Sequence, residues 1–197
     1  MKRLFFLLLI LSAFSIHLFA QDANEPDEYP QDDDVYIYDS NGAGDRFVKI
    51  NLGTIFPLNF QKQLKIGGNA TLGFYKFFTK DFAFGGELSI TYNQSIGEKI
   101  LISIPLTLGV MYQPTIGNFE FPIFAEIGLA SQTWQNIEFF PALTTKVSAG
   151  AYYRITDAIS VGLLTDFMWI PQWVIKEPSK NFHGLFETAT IGLRYHF

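Results

Sequence analysis

Between Arg46 and Phe197 the apolar side chains recur at every second position, and no stretch there approaches the ~18 consecutive apolar residues of a membrane-spanning helix. A period of two is the period of a β-strand, in which neighbouring side chains point to opposite faces. In the clearest segment, Phe82, Phe84, Gly86, Leu88, Ile90 and Tyr92 alternate with Ala83, Gly85, Glu87, Ser89, Thr91 and Asn93. The pattern returns in Ile100 to Tyr112, Phe119 to Leu129, Leu143 to Ile155, Ile159 to Trp169 and Leu185 to Phe197, and more weakly around Val48 to Leu52 and Ile66 to Phe74. That predicts eight strands, an even number. Several exceed the ~9 to 11 residues with which a tilted strand crosses a bilayer, whereas strands of water-soluble proteins average about five or six.

The chemistry of the two faces decides the environment. A water-soluble sandwich or barrel turns its apolar face inward and its charges outward. Here the apolar face is large and uniform, and the opposite face is rich in Gly, Ser and Thr, which suit the inside of a narrow barrel while large aliphatic residues suit lipid. The expected fold is therefore all-β, a closed antiparallel transmembrane β-barrel over residues 46–197. Short links at Phe77 to Asp81, Pro114 to Asn118 and Thr156 to Asp157 alternate with longer ones at Pro57 to Gln63, Asn93 to Lys99, Thr133 to Pro141 and Pro171 to His183. Short turns on one side and longer loops on the other are the membrane-barrel arrangement. Phe74, Phe82, Phe84, Tyr112, Phe119, Phe121, Tyr153, Tyr195 and Phe197 fall near the turn ends of their strands, and Tyr92 and Trp169 near the loop ends, as aromatic girdles require. Pro105 and Pro122 each remove a ladder donor inside a proposed strand, so bulges or irregular register are expected there.

Two segments precede the barrel. Lys2 and Arg3, the apolar run Leu4 to Phe14 and the small Ala20 read as a secretory signal peptide over residues 1–20, cleaved after Ala20. Residues 21–45 carry nine acidic side chains and no Lys or Arg, and read as an acidic disordered arm. From Arg46 onward, twelve basic side chains face ten acidic ones, so the chain's net acidity belongs to the arm and no basic nucleic-acid face follows. With no cysteine, neither a disulfide framework nor a cysteine-linked lipid anchor is available.

The turn phrases Phe74-Tyr75-Lys76-Phe77-Phe78-Thr79-Lys80-Asp81-Phe82 and Tyr152-Tyr153-Arg154-Ile155-Thr156-Asp157-Ala158-Ile159, with Gly162 in the strand that follows, resemble a phrase common among small outer-membrane barrels. The terminal Tyr195-His196-Phe197 resembles their insertion signature, an aromatic last residue on the lipid face. The chain thus resembles the superfamily of OmpA-like, OmpX-like and OmpW-like barrels. That resemblance implies the cell outer membrane, with its lipid and its insertion machinery as partners, and, from the OmpW-like branch, a small apolar solute.

Candidate functional residues are those that a narrow lumen must reconcile. The alternation places Lys49, Glu87, Glu120, Glu126, Lys146, Arg154, Asp166 and Arg194 on the lumen face, where an unpaired charge is costly. With the β-turn after Ile155 taken as a hairpin centre, Lys146 should stand opposite Asp166 with Glu126 at similar height, a three-residue cluster that either plugs the lumen or gates it. Trp134, Phe139, Phe140 and Trp173 are expected in loops, folded over the mouth, set against the outer leaflet or contacting an apolar solute. No metal-ligand spacing or phosphate-binding glycine loop is present, so no metal and no cofactor are expected. His183, near Glu187 and Ser179, and His196 do not suggest a base and nucleophile pair, and no enzyme is expected. Two functions remain: a narrow conduit for small, apolar solutes, and a non-conducting structural or surface-interaction (adhesin-like) barrel.

Overall fold

The computed structural model describes residues 41–59, 64–95, 97–134, 137–172 and 182–197. The expected signal peptide, most of the acidic arm and Trp173 lie outside them. The described part carries β1 (Arg46–Pro57), β2 (Gly67–Phe77), β3 (Phe82–Gln94), β4 (Ile100–Tyr112), β5 (Thr115–Ile116), β6 (Phe119–Glu120), β7 (Ile123–Trp134), β8 (Ile137–Thr156), β9 (Ile159–Gln172) and β10 (Phe182–His196). Every pairing between them is antiparallel; β1 pairs with β10 on one side and β2 on the other, and β8 with β9, so the sheet closes into an eight-stranded barrel.

Burial follows the sequence alternation residue by residue. Along β3 the even positions Phe82, Phe84 and Ile90 face out and are exposed, while Ala83, Glu87, Ser89, Thr91 and Asn93 face in and are buried. The exterior is an apolar belt, with Leu52 60 %, Leu108 56 %, Leu163 66 % and Ile191 68 % exposed. Side chains of this kind so uncovered on every strand require a hydrocarbon surrounding. Phe82, Phe84, Tyr112, Phe119, Tyr153, Tyr195 and Phe197 stand exposed at the turn end, where Phe82 packs on Tyr112 and Phe119 on Tyr153, as an interfacial girdle does.

The two turn phrases share one device. Thr79 Oγ1 accepts the Phe82 N–H at 3.0 Å, and Thr156 Oγ1 accepts the Ile159 N–H at 3.1 Å, so each threonine closes its turn with a side-chain bond. Gly117 adopts φ 58° in the β5–β6 hairpin, the left-handed conformation that favours glycine. Asn41 to Asp45 form a further turn, in which Gly42 N–H donates to the Asp45 carboxylate and Gly44 N–H to the Phe77 carbonyl.

Both prolines mark irregularities. Pro122 separates β6 from β7, and Gly150 N–H donates to its carbonyl. Pro105 stays in register with Ala130, but the β3–β4 ladder lapses at Ile104–Pro105, and β7 shifts register between Ala130 and Gln132. The β7–β8 hairpin is longer than expected. Phe139 and Phe140 lie within β8 rather than in a loop, and Trp134 ends β7, because the ladder runs on to the Trp134–Ile137 pair after that shift.

Candidate functional site: the charged lumen

All eight charges that the alternation turns inward are buried. They fall into two groups with aromatic rings packed between and around them, and Lys49 of one is the cross-strand partner of Arg194 of the other.

The central group is an alternating chain of ion pairs. Lys49 on β1 pairs with Glu87 on β3; Glu87 also pairs with Lys146 on β8; and Lys146 pairs with Glu126 on β7 at 2.7 Å. Thr107 Oγ1 donates to Glu126 at 3.2 Å, and Tyr75 Oη donates to Glu87 at 2.7 Å and also contacts Glu126. The ion pairs tie four strands across the lumen, and Tyr75 and Thr107 add β2 and β4. Each cation has a carboxylate, the condition under which charges persist in a low-dielectric interior.

Asp166 does not stand opposite Lys146. The turn residues are Asp157 and Ala158, so the hairpin is centred later than the count assumed, and the bulge between Arg154 and Thr156 takes back only one step; Lys146 faces Met168 and Ser148 faces Asp166. Asp166 instead accepts the Thr188 hydroxyl at 2.6 Å, and the carboxylate beside Lys146, apart from Glu126, comes from Glu87 across the barrel. The expected pairing of Lys146 with Asp166 is therefore corrected, while Asp166 stays within electrostatic reach of Lys146 and Lys49.

At the turn end, Glu120 on β6 pairs with Arg154 at 2.8 Å and with Arg194 at 3.3 Å. Arg154 also donates to Asn41 at 2.8 Å, and Arg194 to Gln113 at 2.7 Å. Asn41, from the segment read as the arm, is thus buried in the barrel's turn end. Ser160 Oγ lies 2.5 Å from His196 Nε2. This is nucleophile-to-base spacing, yet Ser160 is fully buried and the nearby carboxylate of Glu120 reaches the serine, at 3.4 Å, rather than the far side of the imidazole. The contact satisfies two buried polar groups.

Between and around the two groups lie Phe47, Phe77, Phe124, Tyr75, Tyr152 and Met111. The Arg194 guanidinium sits 3.6 Å from the Tyr152 ring centre and 4.8 Å from that of Phe47, and Lys49 Nζ is 4.0 Å from the Phe124 ring centre. Cations sandwiched on ring faces are held electrostatically as well as by their carboxylates. At the loop end, Ile55, Leu101, Ala142, Met168, Ile170 and Phe186 form an apolar layer over the charges. The sequence reading missed Tyr75 and Tyr152. Their signal was the repeated phrase, since each stands opposite a glycine of the next strand, Gly85 and Gly162.

His183 stacks on Trp169 at 5.8 Å at the loop end. Tyr195 and Phe197 stack at 6.0 Å on the outer face, and Phe197 also meets Phe74 at 6.4 Å.

Comparison with known proteins gives the same architecture. A protein-family model matches residues 25–195. Two uncharacterised proteins of Treponema pallidum (strain Nichols) are similar, one 30 % identical over 66 % of this chain and the other 22 % identical over 70 % of it. The matches span 59 % and 52 % of the lengths of those relatives. Among solved structures, Neisserial surface protein A superposes with a TM-score of 0.56 over 79 % of this chain and 98 % of its own, at 11 % identity. Outer membrane protein OprG from Pseudomonas aeruginosa gives 0.53 over 81 % and 98 %, also at 11 % identity. At such identities the likeness is one of fold.

Proposed function

We propose that this chain, which belongs to the family whose model spans residues 25–195 and is a small eight-stranded barrel of the outer-membrane type, is a closed, non-conducting barrel that holds its loop end at the cell surface. The observation that carries this reading is the unbroken chain Lys49–Glu87–Lys146–Glu126 across the lumen. An eight-stranded barrel is just wide enough for side chains to fill. Here they fill it with paired charges, aromatic rings packed among them and an apolar layer above. An ion would have to separate buried partners in both charged groups and also cross the apolar layer, where it finds no ligand. What such a barrel offers is a rigid membrane anchor whose contacts are made at its rim.

Conductance of the refolded chain in a planar bilayer tests the reading. A folded barrel that passes no discrete current supports it. Steps of stable size in the parent protein would remove it.

A second reading, a conduit for small apolar solutes, is favoured by the apolar layer at the loop end and by a depression of about 590 Å³ on the lipid-facing wall beside Gly53, Gly150 and Leu164. It requires a solute to enter through the mouth and leave sideways into lipid without crossing the charges. Uptake of a fluorescent apolar probe into vesicles, faster with the barrel than without, would support it.

A further inference from the structure

Arg46 and Lys76 are direct cross-strand partners on the outer face of the turn end. Arg46 N–H and C=O bond to Phe197 of the neighbouring segment, while the β1–β2 bonds at this level come from Asp45 and Phe77. Arg46 and Lys76 therefore form a non-hydrogen-bonded pair, the closer of the two antiparallel spacings, at about 4.5 Å between Cα atoms. Like charges directly opposite one another are destabilising. The nearby Asp45 carboxylate is engaged by Gly42 N–H at 2.6 Å, and Lys80 in the following turn is adjacent to Asp81 in sequence.

The surroundings give this pair an orientation. On the row around the barrel, Arg46 lies beside Phe197 and Lys76 beside Phe84. Immediately toward the apolar belt stand Phe74 and Tyr195, both in ring contact with Phe197. The order is hydrocarbon-facing residues, aromatic girdle, then two cations, which is the order of a bilayer from acyl chain to headgroup. Short turns face the periplasm in barrels of this kind, so the leaflet at this level is the inner one.

We infer that Arg46 and Lys76 together bind the phosphate of an anionic phospholipid headgroup in the inner leaflet, with Phe84 and Phe197 flanking its glycerol and upper acyl chains. A phosphodiester between the two cations converts their repulsion into two charge-assisted contacts. Juxtamembrane cations of this kind each add a modest attraction to an anionic surface, so the pair should favour an anionic over a zwitterionic lipid by about tenfold.

Native mass spectrometry of the full chain, released from nanodiscs of mixed phosphatidylglycerol and phosphatidylcholine, tests this. The expected result is a retained phosphatidylglycerol, a roughly tenfold fall in retention for Arg46→Gln/Lys76→Gln, and no change for Lys80→Gln. Equal retention by parent and double variant, or equal loss in Lys80→Gln, would overturn the site. So would retention abolished by inorganic phosphate, or retention seen only when the acids of residues 22–39 are changed to amides, which would give the cations to the acidic segment. Heat-modifiable gel mobility checks that each variant folds.

Discussion

Tyr75 lies across Gly85, its partner on β3, so closely that a Cβ at Gly85 would stand 2.5 Å from the tyrosine ring and nearer still to the Phe74 carbonyl. The ring uses the space a side chain would occupy and delivers its hydroxyl to Glu87 and Glu126. Gly85→Ala is expected to destabilise the barrel by about 1–3 kcal/mol, the cost of overpacking a filled interior. Gly162→Ala, beneath Tyr152, should behave alike, because its Cβ would meet Tyr152 Cγ at 2.6 Å. Gly68→Ala, where nothing lies within 4 Å, should stay within about 0.5 kcal/mol of the parent. Urea midpoints in lipid vesicles give the comparison; a uniform response of all three would dissociate the glycines from the rings.

Among the described residues Glu87 is the one carboxylate ion-paired with Lys49, and it also pairs with Lys146, which keeps Glu126. Glu87→Gln therefore strands Lys49 more than Lys146, at an expected cost of about 3–5 kcal/mol for breaking a buried pair. Adding Lys49→Met removes the stranded charge and should recover more than half of that loss. A double-mutant cycle measures the coupling, and simple additivity would mean that Lys49 and Glu87 do not depend on one another.

Arg194 holds its planar guanidinium on Tyr152 and donates to Gln113 and Glu120. Lysine keeps the charge but neither the plane nor the fork. Arg194→Lys is expected to lower stability by about 1–3 kcal/mol while Arg154, still bonded to Glu120, keeps the turn end closed. Unchanged unfolding in Arg194→Lys would show that charge alone is required there.

How far such relationships can be read from the chain differs from residue to residue. Alternation alone assigned every inward charge, because a strand offers only two faces and one of them is unambiguously apolar. Heights along the lumen were not legible in the same way. Asp166 was placed beside Lys146 by counting from a centre at Thr156, whereas the turn is made by Asp157 and Ala158, and the extra residue at Ile155 recovers only part of that difference. Glu87 reaches Lys146 across the lumen from a strand 59 residues earlier, a proximity fixed by closure of the barrel and not by any local pattern. Phe139 and Phe140 read as loop because they sit beside Pro141, while the ladder of β8 runs through them.

The β8–β9 register can be tested without background, since the chain contains no cysteine. Gly150 N–H and Arg154 N–H point away from β9, toward the Pro122 and Asn118 carbonyls, so Ser148, of the same parity, turns its backbone away from β9 as well. Ser148 and Asp166 are then a non-hydrogen-bonded pair, the closer kind, within the Cα separation of about 4.4–6.8 Å that a disulfide spans. Ser148→Cys/Asp166→Cys should cross-link under mild oxidation in the folded barrel, and Lys146→Cys/Asp166→Cys should do so much less, because its partner position is Met168. The opposite outcome would place the hairpin centre one residue earlier and return Asp166 to Lys146. Since this register is what leaves Lys146 to Glu87 and Glu126, the cross-link also decides whether the closure of the lumen runs across the barrel or only along its wall.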